Sequence, residues 1–247
     1  MITATDIFAI SSQKQFEKIA LKVFRYQHES NLVYREFCDL LKVEPQKVKA
    51  LEQIPFLPIQ FFKSHAVVSN TNMVQKTFTS SGTTGTITSK HLVTDTSIYE
   101  ESYQKGFSQF YGNIEDYVVL ALLPSYLERE GSSLIYMVED LIQLSNHDES
   151  GFYLHNHDEL IKKLTELDQS GQNVILIGVT FALLDLIEKH QFQLQNTIIM
   201  ETGGMKGRRK EMIREELHQQ LCKGFGVTAI HSEYGMTELL SQAYSLG

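Results

Sequence analysis

The chain has 247 residues, is 42% apolar, and carries 22 basic against 30 acidic side chains for a formal charge of −8. That length and composition can bury one large core or two modest ones, and the acidic balance excludes a general nucleic-acid binder, which would present a basic face. No run of about 18 apolar residues is present to span a bilayer, the opening MITATDIFAISSQKQFEK lacks the basic start and apolar stretch of a secretion signal, and the two distant cysteines, Cys38 and Cys222, match no metal spacing. The expectation is a cytoplasmic protein with reduced thiols and a small ligand.

In chain order, Ser12 to Tyr26 and Asn31 to Leu41 place apolar residues three and four apart (Phe16, Ile19, Ala20, Val23; Val33, Phe37, Leu40, Leu41), which predicts two amphipathic helices. In IPFLPIQFFKS, from Ile54, two prolines force extended backbone and make a connector with a greasy side. The short β-branched runs YVVLALLP, NVILIGV, NTIIM and VTAIHS then alternate with the helical patterns SSLIYMVEDLIQL, FALLDLIEKH and KEMIREELHQQL. Continuous apolar runs of this length read as strands buried on both faces. The alternation predicts parallel βαβ units: an α/β fold, mostly parallel sheet flanked by helices, with residues 1–53 as an N-terminal helical cap. No fixed-period repeat and no Pro- or Gly-rich linker marks a domain boundary.

In such sheets ligands bind outside the carboxyl ends of the strands. Three loops there have unusual chemistry: SSGTTG at Ser80 to Gly85, ETGGMKGRRK at Glu201 to Lys210, and SEYGMTE at Ser232 to Glu238. In the first, two glycines bracketing two threonines let backbone N–H groups converge on phosphate oxygens, with hydroxyl donors and Lys90 adding to the pocket. A flexible Ser/Thr/Gly linker is the competing reading. It is not a Walker loop, because Thr86 and Ile87 follow Gly85 where that motif has Lys and Ser/Thr. In YGMTE, Tyr234 to Glu238, a ring that stacks on a base, a glycine, a hydroxyl and a carboxylate able to hold Mg²⁺ stand within five residues. The plainer alternative is core packing and a solvated charge.

The pair SSGTTG and YGMTE resembles the adenylate-forming superfamily of acyl-CoA synthetases. With IPFLPIQFFKSH, LLPSYLEREGSSLIYMV, ETGGMKGRR and SEYGMTE, the chain from about Ile54 onward is similar to the acyl-protein synthetase (LuxE) family, the ligase component of the bacterial luciferase fatty-acid reductase. The resemblance implies ATP-dependent activation of a carboxylic acid, long-chain fatty by family, as an acyl adenylate for transfer to a thiol of a reductase-like protein, with ATP and Mg²⁺ required. It implies Thr237, Glu238 and Lys90 as catalytic residues, with Glu238 on Mg²⁺. Nucleotide binding would fall to Ser80, Ser81, Gly82, Thr83, Thr84, Gly85, Gly203, Gly204, Tyr234, Gly235 and Met236. Tyr126, Ser132 and Ser133 would border an acyl pocket. Lys90 stands five residues past Gly85 instead of directly behind a Gly-x-Pro, a departure from the superfamily pattern.

Relatives are expected to carry, further along, an aspartate gripping the ribose, a small mobile domain with a catalytic lysine, and an acyl-accepting cysteine. None of these lies within the 247 residues, so the chain reads as the large N-terminal domain of such an enzyme, weakly active or inactive alone. A coenzyme A ligase of the phenylacetate type and a nucleotide-binding domain without catalysis are the alternative functions. His155, His157 and Asp158 read as helix capping, not as metal ligands. The run Lys206 to Lys210 reads as a solvated helix face.

Overall fold

A computed structural model describes residues 2–69, 73–80, 87–124, 130–154, 156–205 and 207–247. Where the sequence reading placed no boundary, the chain groups into two compact units, Met1–Ile98 and Tyr99–Gly247.

The first unit opens with helices α1 (Ala4–Phe8), α2 (Gln13–Ser30) and α3 (Leu32–Leu40). Asn31 makes the break between the last two. Its N–H donates to the Gln27 carbonyl at 2.9 Å, ending α2, while its side-chain oxygen accepts the Tyr34 amide at 3.1 Å, starting α3. Phe24, Tyr34, Cys38 and Val48 form the core between these helices, with Ile54 and Leu57 of the proline-interrupted connector packed against it. The Tyr34 hydroxyl donates to the Pro55 carbonyl at 2.7 Å, which satisfies a carbonyl that no helix or sheet serves. A short helix α4 (Phe61–Ser64) follows, then strands β1 (Lys76–Thr79) and β2 (Lys90–Val93), paired antiparallel with Thr79 opposite Lys90.

The second unit holds helix α5 (Ser97–Tyr111) from Tyr99 onward, and helices α6 (Ser133–Ser145), α7 (His157–Gln169), α8 (Thr180–Lys189) and α9 (Arg214–Phe225). Its strands are β3 (Val118–Leu122), β4 (Gly151–Phe152), β5 (Val174–Val179), β6 (Thr197–Thr202), β7 (His231–Gly235) and β8 (Gln242–Ser245). They form one sheet in the order β4-β3-β5-β6-β7-β8, parallel throughout except for β8. Every residue of β3 and β5 is buried, which is why both read as unbroken apolar runs.

Side-chain alternation assigns the two faces. On one, Phe107 of α5 and Met137 and Leu141 of α6 meet Val119, Ile177 and Met200 around a small apolar cavity. On the other, α8 crosses so close to β5 that a Cβ on Gly178 would come within 2.6 Å of Leu183. α9 reaches the same face, where Arg214 donates to Ser232 Oγ at 2.8 Å. Asp168, near the end of α7, is buried and accepts the amides of Gln195 and Asn196 (3.0 and 2.7 Å) and the Thr197 hydroxyl (2.8 Å), which fixes where β6 enters the sheet. From β3 the chain runs to β4 on one side and returns to β5 on the other, so a switch-point crevice opens at the carboxyl ends of β3 and β5.

Three sequence expectations change. The strand expected over VTAIHS is displaced to His231–Gly235, because pairing with β6 and with the returning β8 supplies partners to SEYG that its polar composition does not advertise. SSGTTG belongs to the connection between antiparallel β1 and β2, not to a strand-to-helix junction. The helix expected from Lys210 begins at Arg214, leaving the preceding basic run outside it.

Candidate functional site

The carboxyl ends of β5, β6 and β7 bring the second and third motif loops side by side. β5 passes directly into α8, whose first residue, Thr180, donates its hydroxyl to the Gly203 carbonyl at 2.7 Å and lies 3.3 Å from Glu201 Oε2. Gly203 has φ +68°, in the left-handed region where a side chain is strained, so the loop leaving β6 needs glycine there. At Gly204 an added Cβ would meet no atom within 4 Å, so the chain passes along open space, a route that leaves room for a ligand. His218 of α9 brings Nε2 to 3.7 Å from Glu201 Oε1.

Tyr234 and Gly235 occupy the end of β7, opposite Ala243 and Gln242 of β8. The Tyr234 ring is 61% exposed, open for stacking instead of buried in a core. Beyond the strand the backbone turns, with the Leu239 amide donating to the Met236 carbonyl at 3.0 Å, and the turn leaves Met236, Thr237 and Glu238 half-buried. Glu238 makes no hydrogen bond or ion pair among the described residues, so its carboxylate is available to a cation. One such carboxylate completed by substrate oxygens is how Mg²⁺ is commonly held. The free carboxylate, with the exposed ring and the open glycine loop beside it, fits a magnesium ion completed by the oxygens of a small ligand.

In the first unit, Ser80 ends the β1 edge of the SSGTTG segment. Its amide donates to the Ser89 carbonyl at 3.1 Å and its hydroxyl accepts the Ser89 amide at 2.9 Å, so the two sides of the connection are pinned together. Lys90 stands at the head of β2 and is exposed. Ser81, Gly82, Thr83, Thr84 and Gly85 lie outside the described residues, as do Tyr126, His155 and Lys206.

Several other expectations take a different form. Ser132 is the N-cap of α6, its hydroxyl accepting the Ile135 amide at 3.3 Å, and the Ser133 carbonyl accepts the Tyr99 hydroxyl at 3.1 Å. The Ser132 hydroxyl is thus engaged in starting a helix. Asn156 holds the N-cap position of α7 without a capping bond; its side-chain NH₂ donates to Glu159 at 3.1 Å. Among the described residues no group of three or more His, Cys, Asp or Glu side chains could hold a metal. The basic run is not a solvated helix face: Arg209 forks between Asp185 and Glu188 of α8, and Arg208 lies over the Phe181 ring at 4.7 Å. These contacts tether the loop after β6 to α8.

Thr180, Arg209 and Glu233 were not legible as site residues. Thr180 carried one signal, a hydroxyl directly at the end of the apolar run NVILIGV, where a strand meets its helix. Glu233 carried another, as the residue next to the motif tyrosine in period-two register with His231. Arg209 carried none, because its partners lie more than twenty residues away.

The sequence pattern of the family described as acyl-protein synthetase, LuxE matches residues 1–245. A long-chain-fatty-acid–luciferin-component ligase of Vibrio harveyi is 26% identical over 238 residues, 88% of this chain and 61% of that protein. The ligase of the same name from Photorhabdus luminescens is 34% identical over 74 residues, 30% of this chain and 63% of that protein. The matches span less than two thirds of either relative. A 2-hydroxyisobutyryl-CoA ligase, solved with its acyl adenylate, shares the fold at a TM-score of 0.63 and 13% identity, over 92% of this chain and 49% of that one. With a family pattern running from the first residue nearly to the last, the chain belongs to the acyl-protein synthetase (LuxE) family.

Proposed function

We propose that the protein activates a long-chain fatty acid with ATP and passes the acyl group to a thiol of a partner protein. The observation that carries this reading is the adjacency, on neighbouring strands of a LuxE-family chain, of the Gly203–Gly204 loop and the Tyr234–Glu238 turn. The relatives' names supply the substrate class, a long-chain fatty acid.

A carboxylate is a poor electrophile. One of its oxygens attacks the α-phosphorus of ATP, the bond to pyrophosphate breaks, and the acyl adenylate carries a good leaving group; the acceptor thiolate then attacks the acyl carbon and AMP departs. The difficulty lies in bringing two anions together, so the protein's task is charge neutralisation and alignment. Mg²⁺ bound to Glu238 would supply neutralising charge on the phosphates. Thr237 is assigned to the α-phosphate, Tyr234 to the adenine face, and Gly203, Gly204, Gly235 and Met236 to the walls around base and ribose. Ser80 and residues 81–85 are assigned to the phosphates through backbone and hydroxyl donors, with Lys90 adding charge. Tyr126, Ser132 and Ser133 are assigned to the acyl pocket, and the acceptor to a reductase-like protein. No helix among the described residues is long and apolar enough to cross a membrane, and we assign the protein to the cytoplasm.

The test is fatty-acid-dependent release of pyrophosphate with an acyl hydroxamate trapped by hydroxylamine, followed by transfer of labelled acyl group to a protein thiol in competition with coenzyme A. Pyrophosphate release driven by long-chain acids and label on protein support the reading. Absence of any acid-dependent pyrophosphate, or transfer to coenzyme A alone, would overturn it.

A further inference from the structure

β7 buries a carboxyl that the activation scheme does not use. Glu233 is only 5% exposed and points to the face of the sheet opposite the one that Ser232 and Tyr234 share. Its Oε2 accepts the Thr202 hydroxyl at 2.5 Å, across the register that pairs Thr202 with Glu233. Its Oε1 makes no hydrogen bond among the described residues. A Cβ placed on Gly235 would lie 3.0 Å from that oxygen and 3.2 Å from Gln242 Nε2, so both side chains crowd the same point beneath the motif glycine.

Among the described residues no ion pair or hydrogen bond brings a positive charge to this carboxyl. From β8 come Gln242 and Tyr244, and from α5 comes Tyr99, whose hydroxyl accepts Gln242 Nε2 at 2.7 Å. From β6 come Thr202 and, on the opposite face, the like-charged Glu201. On its own strand His231 lies two residues back, 3.2 Å from the Tyr111 hydroxyl, and burial lowers that histidine's pKa, favouring the neutral ring. Among the described residues Gln242 Oε1 and the Tyr244 hydroxyl are likewise buried without hydrogen bonds. Glu233 Oε1 and Gln242 Oε1 can only accept while the carboxyl is ionised, and a protonated Glu233 changes one of these acceptors into a donor. Burial raises the carboxyl most, the bond from the Thr202 hydroxyl pulls it back, and the Glu201 charge adds to the rise, from 4.5 to about 7.

We propose that Glu233 is a positioning residue that works as a neutral acid: bonded to Thr202 across β6 and β7 and facing Gln242 across β7 and β8, it holds the Gly203–Gly204 loop and the Tyr234–Glu238 turn as one platform, which loosens when the carboxyl ionises. Charge brought into this enclosure must draw in water or push the strands apart, and both consequences fall on the backbone of Tyr234 and Gly235. The inference rests on the nucleotide reading of these loops.

The experiment compares wild type with Glu233→Gln, which keeps an acceptor for Thr202 and supplies a permanent donor. Mg·ATP binding is followed by calorimetry from about pH 6 to about pH 8.5, and thermal unfolding without ligand from about pH 5 upward. A group raised in the folded state contributes stability that is full below its unfolded pKa and lost as pH rises through its folded one. Wild type should therefore lose melting temperature relative to Glu233→Gln up to about pH 7 and keep a constant gap above. Affinity of wild type, relative to the variant, should fall roughly tenfold across the range, the size of effect expected from about one unit of linked protonation. Parallel binding and parallel melting of the two proteins at every pH would overturn the proposal. Absence of ATP binding in both would defeat the nucleotide reading instead. The melting curves would then decide alone, divergence upholding the neutral carboxyl and parallel curves removing it.

Discussion

The Thr180 hydroxyl donates to the Gly203 carbonyl at 2.7 Å, tying the first residue of α8 to the loop that leaves β6. Gly203 is held at φ +68°, so its position depends on both a backbone state and that one bond. Gly203→Ala should cost about 1 kcal/mol from left-handed strain, and Thr180→Val roughly 1 to 2 kcal/mol from the unpaired carbonyl. Urea unfolding measures both. Each variant should also weaken Mg·ATP by more than its stability loss explains, and unchanged nucleotide affinity would detach this contact from the site.

Asp168 tests the scaffold separately from the chemistry. It receives two amides and a hydroxyl from residues 195–197 at the entry to β6. Asp168→Ala leaves the buried Thr197 hydroxyl and the two partly buried amides without their acceptor, and the unfolding midpoint should drop by the equivalent of roughly 2 to 3 kcal/mol. Asp168→Asn, which keeps one acceptor, should lose less. Equal midpoints for the three proteins would refute the clamp.

The pair Thr83→Val and Thr84→Val tests the SSGTTG assignment. If these hydroxyls donate to phosphate, the double variant should bind Mg·ATP about tenfold or more weakly, two lost hydrogen bonds to a charged group. Its melting temperature should stay near that of wild type, since valine keeps the shape of threonine. Calorimetry and a thermal scan on the same samples separate the outcomes, and unchanged affinity would return the segment to a linker.

Much of the architecture was readable because burial on both faces leaves a local trace. YVVLALLP, NVILIGV and NTIIM became β3, β5 and β6, and the helical patterns SSLIYMVEDLIQL and FALLDLIEKH became α6 and α8. The strands that escaped notice owe their existence to neighbours. SEYG and QAYS are polar or mixed, yet they pair with each other, and SEYG also with β6, in a register no local periodicity reveals. The β1–β2 pairing was hidden for the same reason, and it moved SSGTTG from a strand-to-helix junction to a strand-to-strand connection. At the site, glycines and the motif tyrosine were legible because their chemistry is written in residue type. Glu233 was not, because a glutamate in sequence reads as solvated, and only the sheet shows it buried against Thr202.

The most direct measurement is calorimetric titration of ATP into wild type and Glu238→Ala, each with Mg²⁺ and with EDTA. Glu238 is half-buried and without a partner among the described residues, so its removal should disturb no internal bond. Wild type should bind ATP with a strong magnesium dependence, and Glu238→Ala should lose that dependence together with about 2 kcal/mol of affinity or more, as expected for a charged contact. The two proteins binding ATP equally, with and without magnesium, would contradict the assignment of this turn to the nucleotide's metal and with it the central claim.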